Sequence, residues 1–236
     1  MSENFSLSLI VPAYNEALSI REAVRENIDV LEKSGIPWEV IVVDDGSNDD
    51  TKKIATEAFG SHPGVIIHSK KNGGFGSAVK KGIELSTKNH ISFAPVDSPL
   101  SKDILGQFLE FHPRADILVC YRTARLGYSL QMKLNSYIYQ ILISLLFGVR
   151  LKDYNWIHLY PRKIFEPDLQ IGNDRIFMLA ETLIRAHRKG YSFFEFPVEM
   201  IPRRAGKKTA ASFKAQYNVF RDVFSFFLKS IFNRIS

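Results

Sequence analysis

A single cysteine, Cys120, stands among the 236 residues. No disulfide can form within the chain, so a small secreted fold stapled by bridges is excluded and a reducing compartment is expected. The polar start, Met1 to Asn4, has neither a basic segment nor a cleavage site ahead of the first apolar run, which predicts no secretory leader. Nowhere do about 18 apolar residues follow one another, the minimum for a helix that crosses a bilayer. The longest candidate, 130–147, is interrupted by Asn135, Ser136, Gln140 and Ser144. Internal repeats and low-complexity linkers are also missing, which sets aside solenoids and fibrous arrays.

What is present is an ordinary globular composition with an uneven charge. Hydrophobic residues make up 45% and charged residues 24%, and the net charge is +6. Residues 1–118 carry 12 Lys and Arg against 17 Asp and Glu, whereas 119–236 carry 19 against 8. An acidic half followed by a basic half points to two tasks. The basic stretch 202–210 lacks interleaved aromatics and no nucleic-acid motif occurs, so nucleic acid is not the expected partner. The 18 phenylalanines gather late in the chain, where cationic and aromatic residues together suit an anionic membrane surface.

Periodicity alternates strand with helix. Apolar runs at 7–12, 38–43, 65–68, 90–94, 117–121 and 191–198 predict strands. Helical spacing covers 17–33, 51–59, 77–86, 105–111, 130–147, 174–189 and 213–235, with Gly35 and Gly190 as stops. Continuous apolar strands separated by helices predict a mainly parallel α/β sheet flanked by helices. The expected organisation is one domain over 1–210 and an amphipathic helix over 211–236. In that last helix Phe220, Val223, Phe224, Phe227, Ile231 and Ile235 form the expected apolar stripe for a membrane interface. Peripheral, cytoplasmic attachment is therefore expected in place of a span.

In an open parallel sheet, ligands bind beyond the carboxyl ends of the strands. Those ends read Pro12-Ala13-Tyr14-Asn15-Glu16, Asp44-Asp45-Gly46-Ser47, Asn72-Gly73-Gly74-Phe75-Gly76 and Pro95-Val96-Asp97. Acids recur at the same end of successive buried strands, which solvent exposure alone does not explain. Gly74 and Gly76 open a GxGxxG-like fragment, but Val79 occupies the third glycine position. The fragment also follows the third strand, not the first, so a dinucleotide fold is rejected.

The segments Val11–Glu16 and Val42–Thr51, with Gly73–Ala78 and later Arg122, Asp153, Glu181, Glu195-Phe196-Pro197-Val198 and Arg203, resemble glycosyltransferase family 2, within it the dolichyl-phosphate mannosyltransferase type. The resemblance covers roughly residues 7–210. It implies a GT-A fold that binds a nucleotide-sugar. The implied reaction is inverting transfer from a GDP- or UDP-sugar to a polyprenyl or dolichyl phosphate.

Under that resemblance Pro12 and Tyr14 pack on base or ribose, Glu16 accepts from a ribose hydroxyl, and Asp44 faces the nucleotide. Asp45 then orients the loop or the metal environment, and Gly74 and Gly76 either let the backbone approach the donor or make a tight turn. Asp97 is the implied ligand of Mg²⁺ or Mn²⁺, although Pro95 stands where such chains often carry a first acid. Arg122 and Arg203 are the implied phosphate-binding cations; Asp153 and Glu181 are open between a structural pair and a place near the acceptor. A phosphate acceptor is already anionic and needs no strong base, whereas a hydroxyl acceptor does. A same-fold transferase with a saccharide or other hydroxyl acceptor, and a non-catalytic nucleotide-sugar-binding homologue, stay open at this point.

Overall fold

The computed structural model describes residues 5–123, 129–165, 171–199 and 213–232. Seven strands form one sheet: β1 (Leu7–Ala13), β2 (Trp38–Asp44), β3 (Val65–Ser69), β4 (His90–Phe93), β5 (Ile117–Arg122), β6 (His158–Pro161) and β7 (Phe193–Val198). The helices are α1 (Ile20–Glu32), α2 (Thr51–Phe59), α3 (Phe75–Leu85), α4 (Lys102–Phe111), α5 (Leu130–Phe147), α6 (Met178–Arg188) and α7 (Phe213–Phe232), with a short 3₁₀ turn at Arg162–Phe165. The strand order is β3-β2-β1-β4-β6-β5-β7.

Alternation along the central strands assigns the two faces. Leu7, Leu9, Val11 and Ala13 of β1 and Val40 and Val42 of β2 pack against α1, α2 and α4. Ile10, Ile41 and Val43 point the other way, to α3, α5, α6 and α7. Each strand is thus buried on both sides, which is why β1 and β2 read as unbroken apolar runs. On the second face Gly82 brings α3 against β1: a Cβ there would lie 2.4 Å from Ile10 Cγ2.

The sheet is mainly parallel, as the strand–helix alternation requires, with one exception absent from the sequence reading. β6 pairs antiparallel with both β4 and β5 and separates them. Its four residues are too few to show a period. The strand is covered on both faces, with His158, Leu159 and Tyr160 all buried.

Two helices differ from expectation. The segment expected as helix from Asp174 is irregular up to Phe177, and α6 starts at Met178. α7 is turned relative to the expected stripe. Val223 and Phe226 are buried, with Asp222 between two turns of the same face, whereas Phe224 and Ile231 point outward. The helix takes this rotation because Val219, Val223 and Phe226 complete the second core beside Phe147 and Phe177.

Candidate functional site

The C-terminal edge of β1 and β2 is assembled by two stitched turns. Asn15 has φ 56, a left-handed conformation that asparagine tolerates better than most residues. This turns its amide to Ser47 Oγ (2.9 Å) and lets its Oδ1 accept from Asn48 N (2.9 Å). Glu16 N donates to Thr51 Oγ1 at 2.7 Å and Ala17 N to Asp49 Oδ2 at 3.2 Å. Asp49 thus belongs to the start of α2, as its position suggested. Burial opposes ionisation of Asp49, but hydrogen bonds from Thr51 and Ala17 outweigh it and hold the carboxyl below its ordinary value. Tyr14 is left projecting into solvent at 45% exposure, a ring free to stack. Pro12 is buried within β1.

Asp44 and Asp45 end β2 and are each 3% exposed. Asp44 accepts from Ser47 N (3.1 Å) and Ser69 Oγ (2.7 Å), so it ties the ends of β2 and β3 together. Asp45 reaches across to the glycine turn. It accepts from Gly73 N at 3.0 Å, Gly74 N at 2.7 Å and Lys70 Nζ at 2.7 Å. The pair therefore divides its labour in a way adjacent acids at a strand end permit: successive side chains point to opposite sides.

The glycine turn meets protein on its far side. Gly74 has φ +96, and a Cβ there would lie 2.6 Å from Asp174 O. A Cβ on Gly76 would lie 2.7 Å from Asn173 O and 2.8 Å from Arg175 O. The amides of Gly76 and Ser77 donate to Asp174 O at 2.9 and 3.3 Å. The chain that approaches these glycines closely is thus the segment 171–177. On that side the close approach is made by protein, and Gly74 makes a tight turn at positive φ. Glu181 secures the same segment by accepting from Gly172 N and Asn173 N, both at 2.9 Å, and Lys80 pairs with the Asp174 carboxylate. Sequence reasoning missed Asn173 and Asp174 as site-building residues. The available signal was Gly172-Asn173-Asp174, a turn-forming run ahead of a helix.

Asp97 lies half-buried on the turn after β4, beside Pro95. Donor chemistry decides whether a divalent cation fits. Among the described residues no three His, Cys, Asp or Glu side chains converge, and the oxygens of Asp44 and Asp45 already accept protein hydrogens. Mg²⁺ commonly takes one or two carboxylates and completes its shell with water and substrate phosphate. One carboxylate at this edge fits that mode and does not fit a cage built by protein alone.

At the end of β5, Arg122 engages Asp153. Its Nε and Nη2 donate to the two oxygens of Asp153 at 2.7 and 3.0 Å, and its guanidinium lies 4.7 Å from the Trp156 ring centre. Both side chains are buried, so the fork is held in place and its charge is locally offset. Asp153 and Glu181 both resolve as structural pairs, the latter with Arg185 Nε at 2.9 Å. Nearby, burial pushes the Cys120 thiol up, helped by Asp153, which makes it an inert core residue. Burial holds His158 down at about 4, against a smaller opposing effect of Asp153. Arg203 and the basic stretch around it lie outside the described residues.

A doubly covered, mainly parallel sheet, with acids and a glycine turn along one carboxyl edge, defines an α/β protein built to bind at that edge. Residues 8–169 match the family described as Glycosyl transferase family 2, and the chain belongs to it. It is 28% identical over 186 residues to undecaprenyl-phosphate 4-deoxy-4-formamido-L-arabinose transferase of Pectobacterium atrosepticum, covering 76% of this chain and 57% of that protein. It is 38% identical over 99 residues to dolichyl-phosphate beta-glucosyltransferase of Homo sapiens, covering 39% and 31%. The chain thus spans little more than half of the first relative and under a third of the second. In fold it is similar to glucosyl-3-phosphoglycerate synthase of Mycobacterium tuberculosis, a structure in complex with Mn²⁺, uridine diphosphate and phosphoglyceric acid. The TM-score is 0.72 and the identity 16%, over 95% of this chain and 78% of that one. The same synthase is also known with Mg²⁺ and uridine diphosphate.

Proposed function

We propose that this chain is an inverting glycosyltransferase that moves a sugar from a nucleoside diphosphate sugar to a polyprenyl phosphate. The observation that carries the reading is the state of the carboxylates at the binding edge. Asp44, Asp45, Asp153 and Glu181 all accept protein hydrogen bonds that hold the fold together, and this reading gives Asp97 to the metal, so it assigns none of the five to deprotonating a hydroxyl. An acceptor phosphate is already ionised and makes no such demand. The acceptors in the names of the bacterial and human relatives, undecaprenyl and dolichyl phosphate, belong to this class.

In this reading Tyr14 stacks on the base, Glu16 and Asp44 border the ribose, and Asp45 presents the glycine turn. Asp97 holds Mg²⁺ or Mn²⁺ against the diphosphate, where the ion would stabilise charge developing on the leaving group. Arg203 supplies a cation from the basic stretch before α7. Arg122, fixed by Asp153, shapes the end of β5 and does not by itself neutralise a phosphate.

The acceptor class places the reaction at a bilayer. Ten of the twelve large hydrophobic side chains exposed among the described residues lie on α5 and α7. α5 exposes Leu130, Leu134, Tyr137, Ile138, Ile141 and Leu145; α7 exposes Tyr217, Phe224, Leu228 and Ile231. Apolar rows flanked by exposed Lys133, Arg221 and Lys229 suit interfacial docking, and no helix among the described residues is long and apolar enough to cross a membrane.

The test is transfer of labelled sugar from UDP- and GDP-sugars to polyprenyl phosphate, with and without Mn²⁺, for the wild type and Asp97→Ala. Metal-dependent transfer lost in Asp97→Ala supports the reading. Transfer only to a soluble hydroxyl acceptor overturns the acceptor class. Binding of the nucleotide without turnover favours the non-catalytic alternative that Pro95 raises.

A further inference from the structure

The buried charge between α7 and the sheet has no part in the reading above. Asp222 lies on the inward face of α7 among Val219, Val223 and Phe226, and is 8% exposed. An apolar residue would pack there at lower cost, because a buried carboxylate must first be desolvated and then compensated. The compensating group is Arg175, whose Nη1 lies 2.9 and 3.2 Å from the two Asp222 oxygens, with Arg221 Nη2 at 3.3 Å. Arg175 belongs to the segment 171–177, which packs on the glycine turn. The preceding residue supplies the carbonyl that receives Gly76 N and Ser77 N.

A second route joins the same parts. Phe226 of α7 lies 5.6 Å from the Phe177 ring, and the Arg185 guanidinium lies 5.1 Å from the Phe226 ring centre. Arg185 Nε bonds Glu181 at 2.9 Å, and Glu181 holds the amides of Gly172 and Asn173. The end of the segment thus meets α7 directly, through Arg175 and Phe177, and its start is linked to α7 through Glu181 and Arg185. The segment in turn braces the glycine turn that Asp45 holds from the opposite side.

We propose that Arg175 and Asp222 are positioning residues. Their ion pair sets the register of α7 against segment 171–177, and through the Asp174 carbonyl it keeps the turn 73–77 in the geometry that receives a nucleoside diphosphate. The proposal rests on the reading of this edge as the donor site. It ties the seating of α7, the helix with an outward apolar row, to donor affinity. Linkage makes the effect reciprocal: a bound nucleotide strengthens the contact of α7 with the segment as much as that contact strengthens nucleotide binding.

The test uses the full chain and two readouts. Amide hydrogen exchange followed by mass spectrometry reports on residues 73–78. Calorimetry gives the Kd of UDP with Mn²⁺ and of GDP with Mn²⁺. The variants are Arg175→Ala, Arg175→Lys, Asp222→Asn and, as a control that removes an exposed ion pair on α3 itself, Glu84→Ala. In Arg175→Ala and Asp222→Asn, exchange at Gly76 and Ser77 speeds up while β1 and β2 exchange as in the wild type. The Kd of whichever nucleotide the wild type binds rises about tenfold, a coupling of ordinary size. Arg175→Lys recovers part of both effects, because it keeps the charge but not the reach and planar shape of the guanidinium. Glu84→Ala changes neither.

Unchanged exchange at Gly76 and Ser77 in both loss variants overturns the proposal. Faster exchange with an unchanged Kd overturns its link to the donor. Should neither nucleotide bind the wild type, the donor reading fails, and the exchange data alone still decide whether the pair positions the turn. Arg175 has a half-exposed side chain, so its variants carry the test even where Asp222→Asn does not fold.

Discussion

Asp45 shows how one carboxylate can organise the carboxyl edge of a sheet. Its oxygens gather two backbone amides and a lysine from the turn after β3. Asp45→Asn replaces an acceptor with a donor that faces those amides, and it removes the charge opposite Lys70. The expected loss is about 3 kcal/mol of stability in urea denaturation, accompanied by loss of nucleotide binding.

His158 makes a different prediction, for pH. It is fully buried, and among the described residues neither ring nitrogen has a protein hydrogen-bond partner. Its folded value of about 4 lies below the ordinary 6.5. As pH falls below 6.5 the unfolded chain takes up a proton that the folded chain refuses until about pH 4. Stability from this group is therefore complete above that window and declines through it, by roughly 3 kcal/mol in all. His158→Phe should flatten this acid limb, measured as urea midpoints at pH 7.5 and pH 4.5 (about three pH units apart).

Among the elements, α3 and α4 show how one substitution can have opposite signs. Gly76→Ala drives a methyl group into backbone atoms of the segment 171–177 at under 3 Å, so the segment must move. Gly106, exposed on α4, has nothing within 4 Å of the same methyl group. Gly76→Ala should lower stability by about 1–3 kcal/mol, as overpacking does. Gly106→Ala should raise it by roughly 0.5–1 kcal/mol through helix propensity. Thermal unfolding of the two variants checks both signs.

Most elements were legible because their periods are long: β1 through α4 follow from apolar runs and caps, and α5 was located at its observed limits. The rotation of α7 was not legible. Phe220, Val223, Phe224, Phe227 and Ile231 satisfy one apolar stripe as well as Val219, Val223 and Phe226 satisfy another. A helix with too many apolar positions has no unique inward face until a partner selects it.

In the whole molecule, the apolar rows of α5 and α7 are the main departure from an ordinary surface, and patches of this kind mark interaction sites. Truncation at 213 is a poor test of membrane docking, because it would also remove Val223 and Phe226 from the core. Leu134→Ser with Leu228→Ser touches only outward residues. Flotation with anionic liposomes should fall for this double variant while its thermal unfolding stays close to that of the wild type. Unchanged flotation would refute docking through these rows.

The chain's own residues were enough to predict a mainly parallel α/β sheet and to place Asp44, Asp45 and Asp97 at the carboxyl ends of its strands. Those conclusions depend on local period and on the rule that parallel strands present their carboxyl ends together. The partners of those acids were beyond sequence reasoning. That Asp45 holds Gly73 and Gly74, that Asp153 occupies Arg122, and that Asp174 seals Gly76 are contacts between residues 28 to 98 positions apart. Spacing along a chain carries no information about such pairs. They arise when β6 separates β4 from β5 and α6 and α7 close over the second face, so that each buried charge meets the one group able to compensate it.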